Sequence, residues 1–253
     1  MADPIHEHFK SKFDIGLDRQ LAKLAKRLPA VAHLINDLNL GGHSFVEKGE
    51  YDDKNSPDGQ VTFGDVLDPS FIYKIAHSQS EVKLEKLVDH YFGQWPGRIG
   101  AVLGFKFSYN RCKDPNFEYT ASVSLWTATV DEDGIIDQKH VSNQIFWQDG
   151  KAVAGALTLP LKLFIPPFMR QAVLLDNAEN ACLRWDFAEM GKWVVHAMKG
   201  QRLWEARLAR RRATAQAPEE GATVKRRKTD LNGNTTLTKE PAAKRLQRST
   251  RGT

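Results

Sequence analysis

Apolar positions recur at helical spacing between residues 17 and 40, where Leu17, Leu21, Leu24, Ala25 and Leu28 share one face. Lys23, Lys26 and Arg27 lie off that face, and Pro29 interrupts the pattern. Two short helices or one kinked helix are therefore expected, ending at Gly41-Gly42. A short strand is expected over 43–47 and a polar turn over 49–58. Residues 59–63 read as a strand, and 71–77 (FIYKIAH) more strongly so, being dense in β-branched and aromatic side chains. Helical period returns over 79–92, with Val82, Leu84, Leu87, Val88, Tyr91 and Phe92 as its apolar stripe. The apolar run 99–109 suits a strand covered on both faces. Residues 119–130 alternate cleanly, 135–147 form a further strand, and Asp149-Gly150 signals a hairpin closed by 153–159. Past Pro160, residues 177–212 read as one long helix whose Trp185, Met190, Trp193 and Trp204 can pack back on the domain. The order is α, β, β, β, α, β, a β-meander and a long C-terminal helix. That is a mixed α/β (α+β) domain over 1–212.

Composition divides the chain differently. It has 253 residues, 41% hydrophobic, and a formal net charge of +5. Residues 205–253 hold 13 Lys/Arg against 5 Asp/Glu, leaving 23 against 26 in residues 1–204. The basic character thus belongs to the C-terminal end, and any attraction for phosphates is expected there. From Ala213 onward large apolar residues almost vanish, so 213–253 is expected as a disordered tail. Two short basic clusters lie in it, Lys225-Arg226-Arg227-Lys228 and, within Pro-Ala-Ala-Lys-Arg-Leu, Lys244-Arg245. An accessible tail with such clusters is what nuclear import receptors read, and the second resembles known import signals, so a nuclear location is expected. No stretch approaches the length of a membrane span, and the N-terminus lacks the pattern of a secretory signal, so no membrane partner is expected. Cys112 and Cys182 are far apart and match no disulfide or zinc spacing, which fits a reducing compartment.

The candidate chemistry starts at Pro57-Asp58. An Asp on one strand followed by an acidic residue and a Lys at i, i+2 on the next builds a metal-nuclease site. Alternate strand residues share a face, the carboxylates hold Mg²⁺, and the Lys helps activate water. The series PDG (57–59), IYKIAHSQ (72–79), AVLGFKFSY (101–109) and SVSLW (122–126) resembles a group of fungal proteins with a restriction-endonuclease-like, PD-(D/E)XK type core. The resemblance covers about 17–159 and implies a mixed sheet flanked by helices. Aligned on Ser78-Gln79, the family's metal-binding Glu falls on Lys74, and its Lys falls on Ala76. An ammonium repels a divalent cation instead of holding it. Asp58 is then the one metal ligand left, unless Glu47 or Glu50 supplies a second. The expectation is a nuclear protein whose nuclease-like domain has lost its metal site and acts as a binding module, with nucleic acid a possible partner and no cofactor. Two alternatives stand beside it: an active Mg²⁺-dependent nuclease using Asp58 with a displaced carboxylate, and a protein-interaction module. His77, on the strand face opposite Lys74, reads as structural, and His6-Glu7-His8 as a terminal cluster with nothing to orient it. Lys83, Lys86 and Lys106 read as solvated positions.

Overall fold

The computed structural model describes residues 4–41, 56–77, 81–109, 119–130, 136–173, 180–216, 228–229 and 235–236. It divides into two units, Met1–Ala206 and Arg207–Thr253. The first is a mixed α+β domain built on a seven-stranded sheet in the order β1-β2-β3-β4-β5-β6-β7. Its strands are β1 (Leu38–Gly41), β2 (Gly59–Phe63), β3 (Phe71–His77), β4 (Ala101–Tyr109), β5 (Tyr119–Val130), β6 (Ile136–Gln148) and β7 (Lys151–Ala152). Only β3 and β4 run parallel, and α3 (Glu81–Gln94) makes the crossover between them; every other neighbouring pair is antiparallel. The α-β-β-β-α-β order expected from periodicity is therefore present, as is the long C-terminal helix α5 (Phe187–Gln216).

Strand alternation sorts the core into two layers. Phe71, Tyr73 and Ile75 of β3 face the larger cluster together with Leu103, Phe105 and Phe107 of β4. Ile72 and Ala76 face the smaller cluster, beneath Leu84, Leu87, Val88 and Tyr91 of α3. The larger cluster is covered by α1 (Pro4–Arg27) and α5, through Ile5, Phe9, Phe13, Leu17, Leu21 and Leu24 on one side and Met190, Trp193, Val194 and Ala197 on the other. Phe9 meets Phe105 and Phe107 edge-on at 5.0 and 4.9 Å, and Phe13 meets Tyr73 and Phe105 at 4.9 and 4.8 Å. Each such fully buried ring contributes about 1.5–3 kcal/mol. These contacts also fix direction: as numbering falls along α1, the helix advances toward the C-terminal ends of β3 and β4. His6 is delivered there.

Four expectations are corrected. The first helix begins at Pro4, not near Leu17, because Ile5, Phe9 and Phe13 extend the i, i+4 stripe by three turns. Leu38–Gly41 is strand β1, since Leu38 and Leu40 alternate against Phe63 and Val61, and the helical segment stops at Asn36 in α2 (Ala32–Asn36). The Asp149-Gly150 turn closes only two residue pairs, both turn residues having positive φ (52° and 73°). Beyond it the chain leaves the sheet at Gly155, whose φ of 147° suits glycine, and β8 (Ala156–Pro160) pairs instead with β9 (Cys182–Asp186). Residues 182–186 are thus strand, not helix, because Leu183 and Trp185 alternate into the core. The expected strand over 43–47 lies outside the described residues. In the second unit, Lys228–Thr229 pairs with Thr235–Thr236 as β10 and β11.

Candidate functional site

Asp58 occupies the position just before β2, and its backbone N–H donates to the Tyr73 carbonyl at 3.1 Å, extending the β2–β3 ladder. The side chain then reaches the exposed edge of β3 where β2 has not yet begun. There Oδ2 accepts the Ile75 backbone N–H at 2.5 Å. Oδ1 meets Lys74 Nζ at 3.3 Å and His6 Nε2 at 2.9 Å. Lys74 also donates to the Ser56 carbonyl at 2.6 Å. Asp58 is 4% exposed and Lys74 7%, so this is a buried ion pair completed by a histidine.

The charges settle accordingly. Burial alone works to raise the Asp58 pKa, but the His6 hydrogen bond, the Lys74 and His6 charges and the Ile75 amide outweigh it, and the net direction is down. His6 moves the other way. Burial works to lower its pKa, while Asp58 and then Glu7 oppose that and carry it above 6.5. Glu7 takes the second ring nitrogen, Nδ1, at 3.1 Å, so each nitrogen faces a carboxylate and the imidazolium form is favoured.

The glycine of PDG has a packing reason. A Cβ on Gly59 would lie 2.2 Å from the Tyr73 ring, which crosses directly over it. Tyr73 continues past Gly59 to donate its hydroxyl to Asp14 Oδ1, while Lys10 Nζ holds Asp14 Oδ2 at 2.8 Å. Burial and Asp14 push the Tyr73 pKa far above its ordinary value, so the hydroxyl remains a donor.

The structure brings together Asp58 and Lys74, both read from sequence, and adds His6, which that reading set aside. The missed signal was the Ile5, Phe9, Phe13 stripe, which turns a terminal cluster into an anchored helical turn. Lys83 and Lys86 lie exposed on α3, Lys106 is half-buried on β4, and Trp126 and Trp147 are buried. The side chains of His77, Glu47, Glu50, Lys225, Arg226, Arg227, Lys228, Lys244 and Arg245 lie outside the described residues.

A Mg²⁺ site is what the nuclease resemblance implies, and the described residues do not fit one. Asp58 accepts donors at both oxygens, the neighbouring charge is an ammonium, and His6 directs its Nε2 at the same carboxylate. No group of three or more His, Cys, Asp or Glu able to hold a metal occurs among the described residues. None of their helices is long and apolar enough to cross a membrane. No family model, curated protein or solved structure matches this chain.

Proposed function

We propose that this protein is a non-catalytic binding module built on a nuclease-like core, that it acts in the nucleus, and that it engages nucleic acid chiefly through its basic C-terminal segment. One observation carries the non-catalytic part: the Asp58 carboxylate is engaged by His6, Lys74 and the Ile75 amide, so a divalent cation would have to displace or stand beside two cationic donors. Support for the nuclease-like ancestry comes from the α-β-β-β-α-β order and from Pro57-Asp58 at the entry to β2, beside the strand that carries Lys74. Support for the location of binding comes from charge. Residues 205–253 carry 13 basic against 5 acidic side chains, while residues 1–204 are slightly acidic.

The test is duplex DNA binding by the full chain over a range of salt, repeated with Lys225, Arg226, Arg227 and Lys228 all changed to Gln. Each lost phosphate contact removes about 0.9 from the slope of log K against log salt. The slope should therefore shrink by roughly 2–4 in the variant, with affinity falling at low salt. An unchanged slope and affinity would exclude this cluster from the binding surface and overturn its part in the proposal. No salt-dependent binding by either protein would leave the slightly acidic core as a module for protein partners.

A further inference from the structure

A cleft of about 650 Å³, not lined by Asp58, opens between β5, β6, β8 and the short segments that follow β8. Its origin lies in strand periodicity. Phe146, Gln144 and Ser142 share one face of β6; Phe146 is fully buried in the core, and the next two positions on that face are polar and line the cleft. Leu125 and Thr127 of β5 make the same change from apolar to polar. An apolar floor thus passes into a polar rim.

Among the described residues, two cations and no carboxylate line this space. They are Lys162, in the 3-10 turn Leu161–Phe164, and Arg170, at the start of α4 (Arg170–Val173). Arg170 Nε donates to the Lys162 carbonyl at 3.0 Å and to the Ile165 carbonyl at 3.2 Å, so the Arg170 side chain lies against the backbone of the turn that carries Lys162. Its Nη2 is buried and has no hydrogen-bond partner among the described residues. Gly100 makes room for it: a Cβ there would lie 2.3 Å from Nη2. Burial lowers the Arg170 pKa, the direction for a cation that lacks a compensating anion. Among the described residues this guanidinium is held by carbonyls alone, and an anion beside it would offset the cost of its burial. Arginine's fork suits phosphate oxygens in particular.

We propose that this cleft binds a small phosphomonoester of mononucleotide size, its phosphate against Arg170 and Lys162 and its base on the wall formed by Leu125 and Leu163. The volume falls within the range of pockets that take such ligands. Thr127 and Ser142 offer hydroxyls to the sugar, and the Gln144 amide offers both a donor and an acceptor to a base edge. The residues that line the cleft do not include Asp58, Lys74 or His6.

Calorimetric titration of the full chain with each 5′-ribomononucleotide, its nucleoside and inorganic phosphate tests the assignment. At least one mononucleotide should saturate a single site. Its nucleoside and inorganic phosphate should each bind about tenfold or more weakly. Arg170 also holds the backbone of the 3-10 turn, so Arg170→Gln removes a structural contact together with the charge; exposed Lys162→Glu supplies the cleaner variant. It should keep the wild-type melting temperature and lose mononucleotide affinity by about tenfold or more. The assignment is overturned if no mononucleotide binds below several millimolar. It is equally overturned if nucleoside or inorganic phosphate binds as tightly as the mononucleotide, or if a folded Lys162→Glu binds as the wild type does.

Discussion

At the scale of the residue, Asp58 is the hinge of the account. A buried carboxylate with three donors is stable only while its partners remain, so Asp58→Ala should destabilise the protein by about 3 kcal/mol by stranding Lys74 and His6. Adding Lys74→Met should recover part of that loss, since the uncompensated ammonium disappears with it. Denaturant unfolding of the single and double variants would reveal this non-additivity; strictly additive effects would mean the pair is not coupled. The pH dependence has two limbs. The His6 pKa is raised above 6.5, so its contribution is fully present below pH 6.5 and is lost as pH rises through the higher folded value. The Asp58 pKa is lowered below 3.8, so its contribution is present above pH 3.8 and is lost as pH falls through the lower folded value. His6→Gln should flatten the decline in melting temperature above neutral pH and also shrink the decline through the Asp58 range, because the His6 hydrogen bond is the largest of the effects that lower the Asp58 pKa. An unaltered profile above neutral would show that His6 does not bear on Asp58.

The elements explain why the site sits where it does. α1 places His6 because Phe9 and Phe13 interlock with β3 and β4, and Gly59 opens the passage by which Tyr73 reaches Asp14. Gly59→Ala should cost about 2–3 kcal/mol, because a fully buried ring anchored at its hydroxyl cannot step aside. Chemical denaturation measures this directly, and a neutral effect would mean that Tyr73 is free to repack. Legibility followed the same physics. β3, β4, β5 and α3 were readable because their periodicity is strong and local: FIYKIAH could hardly be anything but a strand. The start of α1, the β1 strand and the β8–β9 pair were not, because their states are decided by partners far along the chain. Residues 182–186 resemble the helix they precede until Leu157 and Leu159 are known to lie beside Trp185 and Leu183. Asp58 and Lys74 were legible through their motif spacing. His6 was not, since its role exists only after α1 has docked.

For the whole molecule, chemistry and charge are divided along the chain. Residues 1–204 hold a closed polar site in a slightly acidic domain, whereas the basic residues accumulate beyond it. If 213–253 carry the import signal, fusing them to an inert cytosolic reporter too large to diffuse should move it into the nucleus. Changing Lys225, Arg226, Arg227, Lys228, Lys244 and Arg245 to Ala should return it to the cytosol. A fusion that stays outside would remove the nuclear location from the account. The central claim is that Lys74 and His6 have closed the position a metal would need. Its most direct test is incubation of the full protein with labelled single-stranded and duplex DNA in millimolar Mn²⁺ or Mg²⁺. The closed site predicts no metal-dependent cleavage above the level of an Asp58→Ala control. Cleavage that requires the metal and disappears in Asp58→Ala would contradict it.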